Sequence, residues 1–462
     1  MNTPKKTILP KIKELTERTK EQWLKDYCTF LSYPSVSSEP EFKQQVLDCA
    51  DWVSGYLKKM GFAVEFWPTT GHPVIFASYM KAGPDKPTLL IYNHYDVQPT
   101  DPLEAWQTPP FQPTQKNGEI YARGANDNKG QCFYVMQALK QYLQIAGSLP
   151  LNIKLCIEGE EEMGSAGLSE ILKKKQDALK ADYLAIVDLG LRDPNAPAVT
   201  LGIRGLTTLE VELRGSGVDL HSGTHGGIVT NPIHALVSLL ASVRDEKGRI
   251  TIPGFYDDVV EMPIEERTSL SFTFDPTGYT KITGALATGG EKEFSAWERA
   301  WIRPTLEVNG ISGGYTGVGF KTVIPAIAKA KISCRLVPNQ DPQKIGELVA
   351  NHLRQNVPTG MTISVQVRPG GGKAVRTNPN ANVVKAFARA FEDVYGVPCE
   401  FIMEGGSIPI VTELAAVSQA EVVLVGLGLT TDLVHAPNEH FGLDRIEKGI
   451  LIMSRAFELL SE

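Results

Sequence analysis

The chain contains 462 residues, 42% of them hydrophobic and 21% charged, with a formal net charge of −7 at pH 7. That length suffices for two or three domains with a real core, which excludes a peptide hormone, a disulfide miniprotein and a disordered tail. The mild acidic excess argues against a phosphate-binding surface and hence against a nucleic-acid partner. Six scattered cysteines (Cys28, Cys49, Cys132, Cys156, Cys334, Cys399) form no CxxC pair and read as reduced thiols. Met1 to Lys20 is polar and lysine-rich, without the apolar stretch of a signal peptide. No run approaches the roughly 18 apolar residues of a membrane span, so a cytoplasmic, non-membrane protein is expected.

In chain order, apolar residues at helical spacing predict a helix over the first forty residues, ended by Pro34 and the serine-rich stretch to Pro40. A second helix is predicted over Glu41 to Lys59, stopped by Gly61. Apolar runs at Thr88 to Tyr92, Asn152 to Ile157, Tyr183 to Val187 and Glu421 to Val425 then alternate with helical patterns at Gly130 to Leu143 and Ser165 to Lys175. This alternation predicts an α/β domain, a mixed and largely parallel sheet flanked by helices. Near Arg204 the texture changes. Thr207 to Arg214, Ala328 to Val337 and Thr362 to Val367 alternate polar and apolar residues around a helix at Pro232 to Arg244, as in an α+β layer with one solvated sheet face. The glycines at 370, 371 and 372 look like a hinge. The expected organisation is a catalytic domain in two pieces, 1–204 and 373–462, around an inserted lid or dimerisation domain at 205–372.

The acidic and imidazole side chains fall at strand ends, where open α/β sheets form their ligand sites. Thr88 to Tyr92 runs into His94 and Asp96; Asn152 to Ile157 runs into Glu158 to Glu162; Tyr183 to Val187 runs into Asp188; Glu421 to Val425 leads through a glycine loop to His435; and Asp127 opens the helix near Gly130. Any one of these residues alone would pass as a cap, a turn residue or a solvated acid. Together, three carboxylates and two imidazoles share a pocket only if cations neutralise them. Two divalent cations with five ligands require one bridge: Asp127, with His94 and Asp188 on one metal and Glu162 and His435 on the other. Oxygen and nitrogen ligands without thiolate suit zinc, with manganese or cobalt as alternatives. Such a pair clamps a hydroxide and polarises a carbonyl. Glu161 suits a general base that returns the proton to the leaving amine, and Asp96 suits an orienter of His94.

The motifs NHYDVQP, GANDNKG, EGEEEMGS and VHAPNE resemble the M20 metallopeptidase family, from about Trp23 to the C-terminus. DLHSGTHGG, KTVIP, RLVP and EGGSIP look most like its cytosolic nonspecific dipeptidase and carnosinase branch. The resemblance implies hydrolysis of dipeptides or short peptides with a free C-terminus, the same metal-ligand set and a cis peptide between Asp127 and Asn128. It further implies a homodimer in which His221 stabilises the oxyanion of the partner's active site. Thr322, Arg335 and Ser407 match positions that hold the terminal carboxylate, a task that suits the guanidinium fork. Glu404 could receive the substrate's free amine. Asn93 and Asn128 stand where the family often has glycine and aspartate, Thr224-His225 replace a more apolar pair, and Met403 replaces an arginine; these departures bear on specificity.

The rival within hydrolases is an N-acyl amino acid deacylase, since the same metals cleave either amide. A nicotinamide-binding reading fails because Thr431 occupies the third glycine position of the loop starting at Gly426. A non-catalytic binding protein is disfavoured because ligands and base are all present.

Overall fold

A computed structural model describes residues 7–462 except 265–266, 268–269 and 271–272. The chain forms two compact units. The first comprises residues up to Leu201, Thr377–Ile402 and Ile410–Glu462; the second comprises Gly202–Arg376 and Met403–Pro409.

Seven strands of the nine-stranded sheet run in the order Ala63–Trp67, Val74–Tyr79, Asn152–Glu158, Thr88–His94, Tyr183–Gly190, Glu421–Gly428, Ala198–Ile203, and the last of these also pairs with Glu400–Glu404. Its four central strands are mutually parallel, and the two at the start and the one at the end are antiparallel to their neighbours. Strands covered on both faces must be apolar throughout. Leu89, Leu90, Ile91 and Tyr92 are accordingly all fully buried, each aliphatic one worth about 1.5–3 kcal/mol of transfer free energy. Helices Lys129–Ala146 and Leu443–Leu460 pack against each other. Gly449 permits that approach, since a Cβ there would lie 2.5 Å from the Tyr134 ring. The fold class expected from the strand and helix alternation is the one observed.

Helix formation begins at Leu9, and residues 1–6 of the predicted helix lie outside the described residues. Two helices stand in place of one, Leu9–Arg18 and Lys20–Leu31. The break is at Thr19, where the backbone leaves the helical region (φ −101°, ψ 17°).

The second unit holds a four-stranded antiparallel sheet, ordered Thr305–Gly313, Ile327–Leu336, Gly205–Arg214, Thr362–Val367. Gly205–Arg214 alternates buried and part-exposed residues along most of its length. Its buried side chains and those of Ile327–Leu336 pack on helices Pro232–Ser242 and Pro342–Gln355. Asn231 caps the first helix by accepting from the Ile233 amide, and Asp341 caps the second. Gly372 exchanges backbone hydrogen bonds with Leu206, and a Cβ on it would lie 2.6 Å from Pro409.

Candidate metal centre

The parallel strands of the first unit all end at one edge. His94 ends its strand, Glu161 and Glu162 follow Glu158 in a short turn, Asp188 lies near the end of Tyr183–Gly190, and Glu421–Gly428 leads into the loop of His435. Asp127 arrives from the loop before Lys129–Ala146, and its peptide bond to Asn128 is cis.

These side chains form two triplets whose ligand atoms lie within 4.8 Å of one another, His94–Asp127–Asp188 and Asp127–Glu162–His435. Asp127 belongs to both. Its Oδ1 is 3.0 Å from His94 Nε2 and its Oδ2 is 2.9 Å from His435 Nε2. His94 Nε2 is also 3.7 Å from Asp188, and His435 Nε2 is 3.3 Å from Glu162. Glu161 stands beside the first triplet, 3.9 Å from His94 Nε2, and precedes Glu162 of the second in the chain. Four carboxylates and two imidazoles converge here, and the Oε1 of Glu162 is buried without a hydrogen-bond partner among the described residues. A hard-to-borderline donor set with an unspent carboxylate oxygen fits divalent cations.

The electrostatics have the same origin. Burial and the neighbouring Asp127 push Glu162 up to about 7. Burial raises Glu161 well above the carboxylate range and raises Asp188 as well. Hydrogen bonds to Asp127 and Glu162 push His435 up to about 11. Burial opposes the charge of His94, but Asp188, Asp127 and Asp96 hold its pKa well above the histidine range. Burial opposes ionisation of Asp127 too, yet the two histidines keep it below the usual range. A histidine must be neutral to ligate a metal, so protonation and metal binding compete here.

Asp96 is fully buried and supports both sides of the cluster. Its carboxylate lies 3.2 Å from His94 Nδ1, which is hydrogen-bonded to the Asp96 carbonyl at 3.1 Å, and accepts the backbone amides of Glu161 and Glu162 at 3.2 and 3.1 Å. Asn93 and Asn128 touch each other: Asn93 donates to Asn128 Oδ1, and Asn128 donates to Asp188 at 2.6 Å. Gln98 donates to Glu162 at 2.7 Å.

Sequence reasoning missed the clamp that fixes Asp127. Buried Glu439 accepts the backbone amides of Gly124, Asn126 and Asp127 and pairs with Arg123 at 2.7 Å. Buried Asp432 pairs with Arg445 and accepts from Asn126. Losing one partner of such a pair costs about 3–5 kcal/mol. The clue lay in the sequence, since Glu439 closes the VHAPNE motif.

The predicted substrate residues lie in the second unit. Arg335 donates to Ser407 at 2.8 Å. Thr322 Oγ1 is 3.5 Å from His221 Nε2, while His221 Nδ1 accepts the Gly223 amide, which leaves Nε2 as the N–H. Both of these residues are exposed, and His225 is half-buried. Glu404 ends the strand Glu400–Glu404 and is half-buried. Arg204, also missed, donates from Nε to the Gly405 carbonyl in the loop of Ser407. Burial and then the like charge of Arg335 pull its guanidinium down to about 10.

The model of peptidase family M20/M25/M40 matches residues 90–459. The Cys-Gly metallodipeptidase dug1 of Schizosaccharomyces pombe is 31% identical over 99% of this chain and 99% of its own. Among solved structures, the M20 family metallo-carboxypeptidase Sso-CP2 of Sulfolobus solfataricus is 36% identical with a TM-score of 0.86, covering 95% of this chain and 99% of that one. Human carnosine dipeptidase 1 is 30% identical with a TM-score of 0.86, covering 99% of this chain and 100% of that one. The chain therefore belongs to peptidase family M20/M25/M40, as a metallopeptidase of the M20 type.

Proposed function

We propose that this protein hydrolyses dipeptides with a free C-terminal carboxylate, using two divalent cations shared through Asp127. The observation that carries this reading is the pair of triplets with Asp127 common to both. Relatives named for Cys-Gly and β-Ala-His dipeptide cleavage support the substrate class. His94 and Asp188 would hold one cation and Glu162 and His435 the other, zinc by ligand chemistry, with manganese or cobalt as alternatives. When bound, such a pair supplies Lewis acidity toward the scissile carbonyl and lowers the pKa of water.

Glu161 takes a proton from the attacking water and delivers it to the leaving amine, a role supported by its place beside His94 and directly before Glu162. Asp96 keeps the His94 ring oriented so that Nε2 faces the cluster. Arg335, with Ser407 and Thr322, holds the terminal carboxylate; Glu404 receives the free amine. The second unit acts as lid and dimerisation domain, and His221 donates from Nε2 to the oxyanion in the partner subunit's site. Unpaired cysteines throughout support a cytoplasmic setting.

Turnover of a dipeptide panel set beside N-acetyl and N-succinyl amino acids tests the substrate class. Dipeptides are expected to be hydrolysed faster; faster turnover of the acylated set would make the protein a deacylase instead. The shared site is tested by mixing two inactive variants, His221→Ala and Glu161→Ala. Hybrid dimers should recover activity, because one of their two sites is intact, and mixtures without recovery would contradict the exchange.

A further inference from the structure

The second unit contains a cavity of about 330 Å³ whose lining includes Phe274, Tyr279, Trp297, Ala300, Arg204 and Thr305. That volume is at the small end for ligand pockets. One side of its wall is aromatic and mutually braced, the other carrying Arg299 and Glu307: the Phe274 ring centroid lies 5.3 Å from those of both Tyr279 and Trp297, and it meets Trp297 edge-on. The Trp297 indole N–H donates to the Thr273 carbonyl at 3.0 Å. With its polar handle used, the indole offers the cavity apolar surface.

The cavity's position in the sheet gives it meaning. Thr305 pairs directly with Arg335 across the antiparallel strands, so their Cα atoms are about 4.5–5.5 Å apart and their side chains share a face. That face is opposite the unit's core, since the alternate residues Leu306, Cys334 and Leu336 are buried there. One short loop borders both features: its Gly405 carbonyl accepts from Arg204 at the cavity, and its Ser407 accepts from Arg335.

In a dipeptide the side chain of the C-terminal residue branches from the same carbon as the terminal carboxylate. A carboxylate held by Arg335 therefore places that side chain on the sheet face that Thr305 of the cavity shares. We infer that this cavity receives the side chain of the substrate's C-terminal residue, and that Phe274, Tyr279 and Trp297 make the enzyme favour a bulky apolar or aromatic residue there. The inference rests on the dipeptide reading above.

The test compares kcat/KM for Ala-Phe, Ala-Leu and Ala-Gly in the wild type, Ala300→Leu and Trp297→Ala, with metal content and circular dichroism checked for each. The wild type should prefer Ala-Phe to Ala-Gly by about tenfold or more, the scale on which apolar pockets discriminate. Filling the cavity with Ala300→Leu should lower the Phe-to-Gly ratio about tenfold, chiefly through KM for Ala-Phe. Trp297→Ala removes wall rather than space and should lower the same ratio, so either folded variant suffices. A wild type that prefers Ala-Gly, or variants that lose both substrates equally, would overturn the pocket while leaving the dipeptidase reading intact. A wild type that cleaves no dipeptide would overturn that reading and this inference with it.

Discussion

Glu161→Ala should lower kcat by about 10²- to 10⁴-fold, the usual contribution of a positioned general base, while the purified protein still carries both cations. The separation of the two effects follows from the geometry. Glu161 belongs to neither triplet, whereas the adjacent Glu162 lies in the one with His435. Both backbone amides are held by Asp96, so truncating one side chain leaves the turn and its neighbour in place. Metal analysis of the variant decides the assignment, since loss of a cation alongside activity would mean that the two glutamates had been exchanged.

Asp127→Ala should remove both cations and leave only background turnover. Each of its oxygens faces a different histidine, so one substitution opens both triplets. His435→Ala or Asp188→Ala opens only one. The loss of affinity for both cations should exceed the roughly 10- to 100-fold typical of a residue outside the ligand shell. Binding isotherms for the apo variants measure it; an Asp127→Ala protein that keeps one cation at wild-type affinity would show that Asp127 serves a single site.

The parts of the fold legible in sequence are those with a local cause. Leu89 to Tyr92 and Leu184 to Val187 are buried on both faces of a parallel sheet, so they read as continuous apolar runs. The ligands follow those runs because a sheet of this kind gathers its strand ends at one edge. Thr305–Gly313 gave no such signal, because most of its side chains are at least partly exposed and no alternation survives. Its absence from the sequence reading also hid the pairing of Thr305 with Arg335. The amphipathic helices Asn382–Tyr395 and Leu443–Leu460 went unread, although their apolar stripes were present.

At the metal centre, the ligand types were legible and their support was not. Glu439 and the amides it receives are more than three hundred residues apart in sequence. His435 and Leu433 both adopt the left-handed region, a conformation no residue pattern at those positions announces. Asn93 and Asn128 look like two unrelated departures in the sequence, yet in space one holds the other against Asp188.

The central claim is that two cations share Asp127. Anomalous scattering at the zinc edge, from crystals of the zinc-loaded protein, tests it most directly. The account predicts two peaks about 3.5–4 Å apart, one between His94 and Asp188 and one between Glu162 and His435, with Asp127 reaching both. A single peak at full zinc loading, or two peaks of which only one contacts Asp127, would contradict it.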